Sequence, residues 1–169
     1  VRVLASGSQA SLKLDLLNPD GSLFLLLSGG GASIVLADEL YNLGYGKEIA
    51  NYGEYSGNPN DEETYTYTKN VLSLLFKSNA KNKAIVIAGG VANFTDIRKT
   101  FKGIVRALDE YSVKLRDHGV KVFVRRGGPY QKEGLSLMRE FLESHGLYGG
   151  VWGPDVVLTN VVKTAGKSV

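Results

Sequence analysis

The sequence contains no cysteine. This excludes disulfides, thiolate metal sites and cysteine nucleophiles together, and it fits a reducing, cytoplasmic compartment. Histidine is nearly as scarce, with only His118 and His145. Neither has a second ligand at metal-site spacing, so the pattern of a zinc site is missing and no metal is expected. No apolar run approaches the roughly 18 residues needed to span a bilayer, and no signal-peptide pattern opens the chain. The first residue is Val1 rather than Met, so the chain reads as a piece of a longer polypeptide. Neither sign of charge dominates: 20 Lys and Arg face 17 Asp and Glu, a net charge of +3. The basic residues are scattered, which argues against a nucleic-acid surface. The P-loop is missing as well, because Gly166-Lys167-Ser168 lacks the upstream glycine and strand. No nucleophile–base pair is readable.

What is abundant is glycine, with 21 in 169 residues, roughly twice the usual share of about 7%. A hydrophobic fraction of 43% and a charged fraction of 22% fit one folded domain. Residues 1–11 read as a flexible lead-in and residues 12–169 as the domain. Residues 12–17 alternate with period 2, Asn18-Pro19-Asp20-Gly21 is turn chemistry, and residues 23–27 are an apolar run. Together they predict a β-hairpin. Residues 34–43 are apolar on nearly all sides, which predicts a buried helix capped by Ser33 and ended by Gly44. A short strand is expected over 49–55. Asn60 and Glu63 then have capping-box spacing for a helix reaching about residue 79. Residues 84–88 and 120–124 are continuous apolar runs, the mark of strands covered on both faces. Between them, one long amphipathic helix carries Ile97, Phe101, Ile104, Val105, Leu108 and Leu115 at helical spacing. A helix over 132–145, a strand at Val151-Trp152 and a weak helix over 155–165 complete the pattern. Alternating strands and helices predict an α/β fold with a mostly parallel sheet and helices on both faces.

Each glycine junction falls after a strand and before a helix: Gly29-Gly30-Gly31, Ser56-Gly57, Gly89-Gly90 and Gly127-Gly128. In an open parallel sheet these junctions share one edge, where ligands bind. Helix N-termini there offer unpaired N–H groups and partial positive charge, and glycine lets an anion come close. Asn93 and Thr95 add amide and hydroxyl groups. Arg126 can grip a carboxylate through two parallel hydrogen bonds. Its neighbour Arg125 must face the other way, because successive strand residues alternate. The set suits a small polycarboxylate or a phosphate. Each feature also has a plainer reading: the glycines as ordinary turns, Asn93 and Thr95 as a helix cap, Arg126 as a surface residue.

Six motifs occur in order: Leu16-Leu17-Asn18-Pro19-Asp20-Gly21, Gly29-Gly30-Gly31-Ala32-Ser33, Ala50-Asn51-Tyr52-Gly53-Glu54-Tyr55-Ser56-Gly57, Ala92-Asn93-Phe94-Thr95, Phe101-Lys102-Gly103-Ile104-Val105-Arg106-Ala107 and Phe123-Val124-Arg125-Arg126-Gly127-Gly128-Pro129. Their succession resembles the citrate-binding domain of ATP-citrate lyase, a relative of the C-terminal domain of the succinyl-CoA synthetase β-subunit. The resemblance implies a flavodoxin-like, doubly wound sheet. It implies a parent enzyme that phosphorylates a histidine with ATP, forms citryl phosphate and citryl-CoA, and cleaves the latter to acetyl-CoA and oxaloacetate. It implies that Gly57, Asn93, Thr95, Tyr111 and Arg126 hold citrate. It also implies that Gly30, Gly31, Ala32 and Ser33 form a helix N-terminus facing the phosphohistidine. Spacing alone does not point to Tyr111.

Neither His118 nor His145 lies in the Gly-His-Ala-Gly context of the phosphorylated residue. No catalytic residue is therefore assigned within the chain, which is expected to bind citrate without turning it over. The resemblance places ATP, Mg and CoA in other domains. It names as partners an ATP-grasp domain and a CoA-binding, citrate-synthase-like segment within an oligomer. A citryl-CoA synthetase, a succinyl-CoA synthetase-like ligase, a subunit-interaction module and a flavodoxin-like phosphate or nucleotide binder are the alternatives. Pro129-Tyr130 departs from the family pattern after the Arg-Gly-Gly run.

Overall fold

The computed structural model describes residues 2–4 and 10–169. Among the described residues, seven strands form one sheet: β1 (Arg2–Leu4), β2 (Ser11–Leu16), β3 (Leu23–Ser28), β4 (Asn51–Ser56), β5 (Ala84–Val91), β6 (Lys121–Gly127) and β7 (Tyr148–Trp152). Their spatial order is β1-β2-β4-β3-β5-β6-β7. β2 runs antiparallel to both neighbours, and from β4 to β7 every pairing is parallel. The helices are α1 (Gly30–Asn42), α2 (Asp61–Lys77), α3 (Ile97–Glu110), α4 (Ser112–Asp117), α5 (Gln131–Ser144) and α6 (Asn160–Lys167). Among the described residues, no helix is long and apolar enough to cross a membrane.

The buried side chains fall into two clusters, one on each face of the sheet. Phe24, Leu26 and Ile87 pack with Val71, Phe101 and Met138 of α2, α3 and α5. Leu25, Leu27 and Val86 pack with Leu36 and Leu40 of α1 and Val161 and Val162 of α6. β3 is buried along its whole length, as its unbroken apolar run requires. The doubly wound α/β architecture is therefore the one expected, and each face of the core is closed within the chain itself.

An antiparallel strand pair does stand at the N-terminus, but its partners differ from the expected hairpin. The turn forms, with Gly21 N–H donating to Asn18 O at 3.0 Å. The strands that it joins are nevertheless not neighbours. Leu17 and Asn18 both donate to Ala50 O, and β2 pairs with β4 and β1 instead. Burial decides the matter: β3 has no polar face and needs the centre of the sheet, whereas β2 has exposed positions and suits the margin. The lead-in supplies β1, and its stretch Ala5-Ser6-Gly7-Ser8-Gln9 lies outside the described residues. β4 and β3 share only a short ladder, which the Asn51 amide extends. That amide donates to Leu25 O at 3.0 Å and accepts from Leu25 N–H at 2.9 Å.

Three helices also differ from the pattern, the last being α6, which starts at Asn160 rather than near residue 155. α1 begins within the glycine run, with Gly29 as its N-cap, so Ser33 lies inside the first turns and is not the cap. The Ser33 hydroxyl donates back to Gly29 O at 2.6 Å. α1 is buried on one side only, and Ile34, Val35 and Tyr41 are 57%, 48% and 74% exposed. The single helix expected after Thr95 breaks at Tyr111 into α3 and α4. The capping box at the start of α2 is present in full, with Glu63 N–H donating to Asn60 Oδ1 at 2.8 Å and Asn60 N–H to Glu63 Oε1 at 3.0 Å.

Candidate functional site

The C-terminal ends of β3, β4, β5 and β6 enclose a cleft of about 250 Å³. It has two halves. The first is the start of α1, where Gly29, Gly30, Gly31 and Ala32 line the wall. Gly29 takes a φ of 79°, a left-handed conformation that glycine adopts without steric cost. Its N–H donates to Tyr55 O at 3.0 Å, which anchors the loop to β4. No side chain caps α1 and its first turn holds no acidic residue. Its leading N–H groups and the positive end of the helix dipole are therefore available to an anion.

The second half is built by Gly57, Asn93, Thr95 and Arg126, with Tyr55 below them. The Thr95 hydroxyl donates to Gly57 O at 2.5 Å, tying the loop after β5 to the loop after β4. With its proton committed, Thr95 faces a ligand as an acceptor. Asn93 is exposed at the rim.

Arg126 is 4% exposed, and Nη1 donates to Gly90 O at 2.8 Å. Its buried Nε has no partner. Among the described residues no carboxylate pairs with it. Burial, reinforced by the Arg125 charge, holds this guanidinium below its usual pKa; Tyr55 acts in the opposite direction. The close fit extends to Gly89, where a Cβ would overlap Ser28 Oγ and stand 2.6 Å from Arg126 Nη1.

Arg125 faces the opposite side of the sheet, as strand alternation requires. Its guanidinium donates to Gly89 O, Pro154 O and Val156 O at 2.9–3.2 Å, pinning the loop that leads to α6. The cleft thus gathers Gly30, Gly31, Ala32, Gly57, Asn93, Thr95 and Arg126. Ser33 lies behind the first turn of α1, and its side chain is buried. Tyr111 is not part of the cleft. It sits beyond the far end of α3, about 20 Å of helix away, with its ring 5.7 Å from that of Phe76.

Tyr55, Ser28, Val91 and Phe94 line the cleft without having been singled out by the sequence reading. Tyr55 could have been found from alternation along β4, once β4 was known to end at the glycine edge. Tyr130 closes the far side of the Arg-Gly-Gly loop at φ 60°, an uncommon conformation for a side-chain-bearing residue. The Arg98 guanidinium stacks 4.1 Å from the centre of its ring. The departure at Pro129-Tyr130 therefore falls at the N-cap of α5. Among the described residues, no group of three or more His, Asp or Glu side chains is placed to hold a metal ion.

A family model described as ATP citrate lyase citrate-binding matches residues 1–168. ATP-citrate synthase of Mus musculus is 46% identical over 163 residues, covering 96% of this chain and 15% of that protein. ATP-citrate synthase alpha chain protein 2 of Arabidopsis thaliana is 43% identical over 159 residues, covering 94% of this chain and 38% of that protein. A solved structure of ATP citrate lyase from Methanothrix soehngenii, in complex with citrate and coenzyme A, superposes with a TM-score of 0.90 at 48% identity. It covers 95% of this chain and 42% of that one. The chain thus spans well under half the length of each of these relatives. On the match along nearly all of its length, this chain belongs to the ATP citrate lyase citrate-binding family.

Proposed function

We propose that this chain is the citrate-binding part of an enzyme that uses ATP and CoA to convert citrate to acetyl-CoA and oxaloacetate. The observation that carries the reading is Arg126: a buried cation with no acidic partner among the described residues, opening on a cleft lined by backbone N–H groups. A buried charge left alone is costly, so an anionic ligand is the missing partner.

Each residue has a part that follows from its donors and acceptors. Arg126 binds one citrate carboxylate through its remaining N–H groups. Asn93 donates its amide to a second carboxylate. Thr95 accepts from the citrate hydroxyl, and the backbone of Gly57 borders the same space. The first turn of α1 stabilises negative charge on the phosphoryl group as it is transferred, because its donors are fixed before the charge arrives. Tyr111 is assigned here only by family resemblance, and its contribution would require the end of α3 to rearrange. ATP, Mg and CoA are proposed to be held by an ATP-grasp domain and a CoA-binding, citrate-synthase-like segment. The cytoplasmic, oligomeric enzyme that the resemblance implies is part of the same proposal.

Calorimetric titration of the chain with citrate tests the reading. Saturable binding at or below millimolar citrate is expected. Its absence, with the fold intact by circular dichroism, overturns the proposal.

A second role has its own observation. Ile34, Val35 and Tyr41 are exposed apolar residues on the outer face of α1, beginning beside the cleft and interrupted by the exposed Asp38. The relatives' extra length supplies polypeptide to cover it. This face is therefore proposed to dock against the remainder of the enzyme, and size-exclusion chromatography with and without that remainder reads the association.

A further inference from the structure

Glu54 on β4 points to the α1 face of the sheet, opposite to its neighbour Tyr55. It is 6% exposed. Its Oε2 accepts the Tyr52 hydroxyl at 2.5 Å, and its Oε1 lies 3.5 Å from the place a Cβ on Gly30 would take. Among the described residues it forms no ion pair. Lys13 stands across from it in the β2–β4 register but forms no ion pair with it, so this buried carboxylate draws on other positive potential as well. The start of α1 supplies it, since no side chain caps that helix and no acid occupies its first turn. That this edge meets an anion has independent support in Arg126, which is 4% exposed with Nε unpartnered and lines the same cleft.

We propose that Glu54 is the built-in counter-charge of the α1 pole, and that it determines how firmly the cleft holds a phosphate-type anion there. The negative charge neutralises part of the helix potential from behind. An anion entering from the cleft competes for what remains. Arg126 lies on the other face of the sheet and keeps its full charge for a carboxylate. The cleft then holds a carboxylate firmly and a phosphoryl group loosely, as a site must if it is to release that group to an acceptor. The inference rests on the reading of α1 as the phosphoryl-facing half.

The test compares the wild-type chain with Glu54→Gln, which keeps the hydrogen-bond acceptor and the volume but removes the charge. Inorganic phosphate and citrate are the probes, each titrated by calorimetry at low and high salt. Glu54→Gln is expected to bind phosphate about tenfold more tightly, with the gain shrinking as salt is added. Citrate affinity should change by less than about threefold, because the Arg126 contact is untouched. Tyr52→Phe removes the hydroxyl and keeps the charge, and should leave phosphate affinity unchanged. Phosphate binding that is unchanged, weaker or undetectable in Glu54→Gln overturns the proposal, as does an equal gain in Tyr52→Phe. Should Glu54→Gln not fold, Glu54→Asp sets the charge farther back and must give a smaller gain of the same sign; no gain overturns the proposal. A wild-type chain that binds phosphate but not citrate refutes the citrate reading and leaves the phosphate comparison valid.

Discussion

Replacing Arg126 with Met should move stability and affinity in opposite directions. The guanidinium is 4% exposed, and among the described residues its short hydrogen bond runs to Gly90 O at 2.8 Å, with the Tyr55 hydroxyl as a weaker second partner. Burying an ion costs several kcal/mol. One charge-assisted hydrogen bond returns only about 1.5–3 kcal/mol. The arginine therefore destabilises the unliganded fold, and Met fills similar volume without a charge. The expected gain is about 1–3 kcal/mol, by analogy with buried ion pairs replaced by apolar residues. Each kcal/mol raises Tm by roughly 2–4 °C in a domain of this size.

Citrate binding should fall by about 2–5 kcal/mol, since one member of a buried charge pair is gone. That is roughly 30-fold to several-thousand-fold in Kd. Thermal melts with and without citrate read both effects at once. Citrate at about 100 times the wild-type Kd should stabilise the wild-type chain by about 2.7 kcal/mol and the variant by less than about 1 kcal/mol. A variant less stable than wild type without ligand, or one that binds citrate within threefold of wild type, would refute the reasoning.

Two further substitutions test the frame around the site. Thr95→Val keeps the shape and removes the bond to Gly57 O, so it should lower stability by about 1 kcal/mol in urea unfolding. It should also weaken citrate binding; unchanged affinity would remove Thr95 from the site. Gly103 lies where α3 crosses α2, and a Cβ there would overlap Thr64 Oγ1 and Asp61 O. Gly103→Ala should cost about 1–3 kcal/mol, visible as a Tm lower by roughly 2–12 °C. A neutral result would mean that the two helices separate more easily than their packing indicates.

The parts of the fold that depend on local chemistry were legible in the sequence. Continuous apolar runs marked β3, β5 and β6, and the Asn60–Glu63 spacing marked the start of α2. Pairing was not legible from the turn, because a good turn between two strands does not require them to be adjacent. The hydrogen bonds from Leu17 and Asn18 to Ala50 O join parts of the chain that no local pattern links. The start of α1 was missed because its N-terminus is capped by no side chain, so the glycines read as loop. The break at Tyr111 was missed because Leu108 and Leu115 keep helical spacing across it.

Of the candidate site, the glycine edge, Asn93, Thr95 and the opposition of Arg125 to Arg126 followed from residue type and alternation. Tyr55 and Glu54 did not. A tyrosine and a glutamate in a strand look like ordinary surface residues until the sheet order buries them.

The back-to-back arginines of β6 also tie the frame of the sheet to the chemistry of the rim. A strand presents alternate residues to opposite sides, so a one-position slip of β6 against β5 would exchange the two guanidinium groups. The one that now staples the Pro154–Val156 turn would swing toward the cleft, and the arginine proposed to meet the ligand would sink among main-chain carbonyls. An insertion or deletion of a single residue early in β6 would thus disable both recognition and scaffolding at one stroke, leaving no intermediate in which either survives alone.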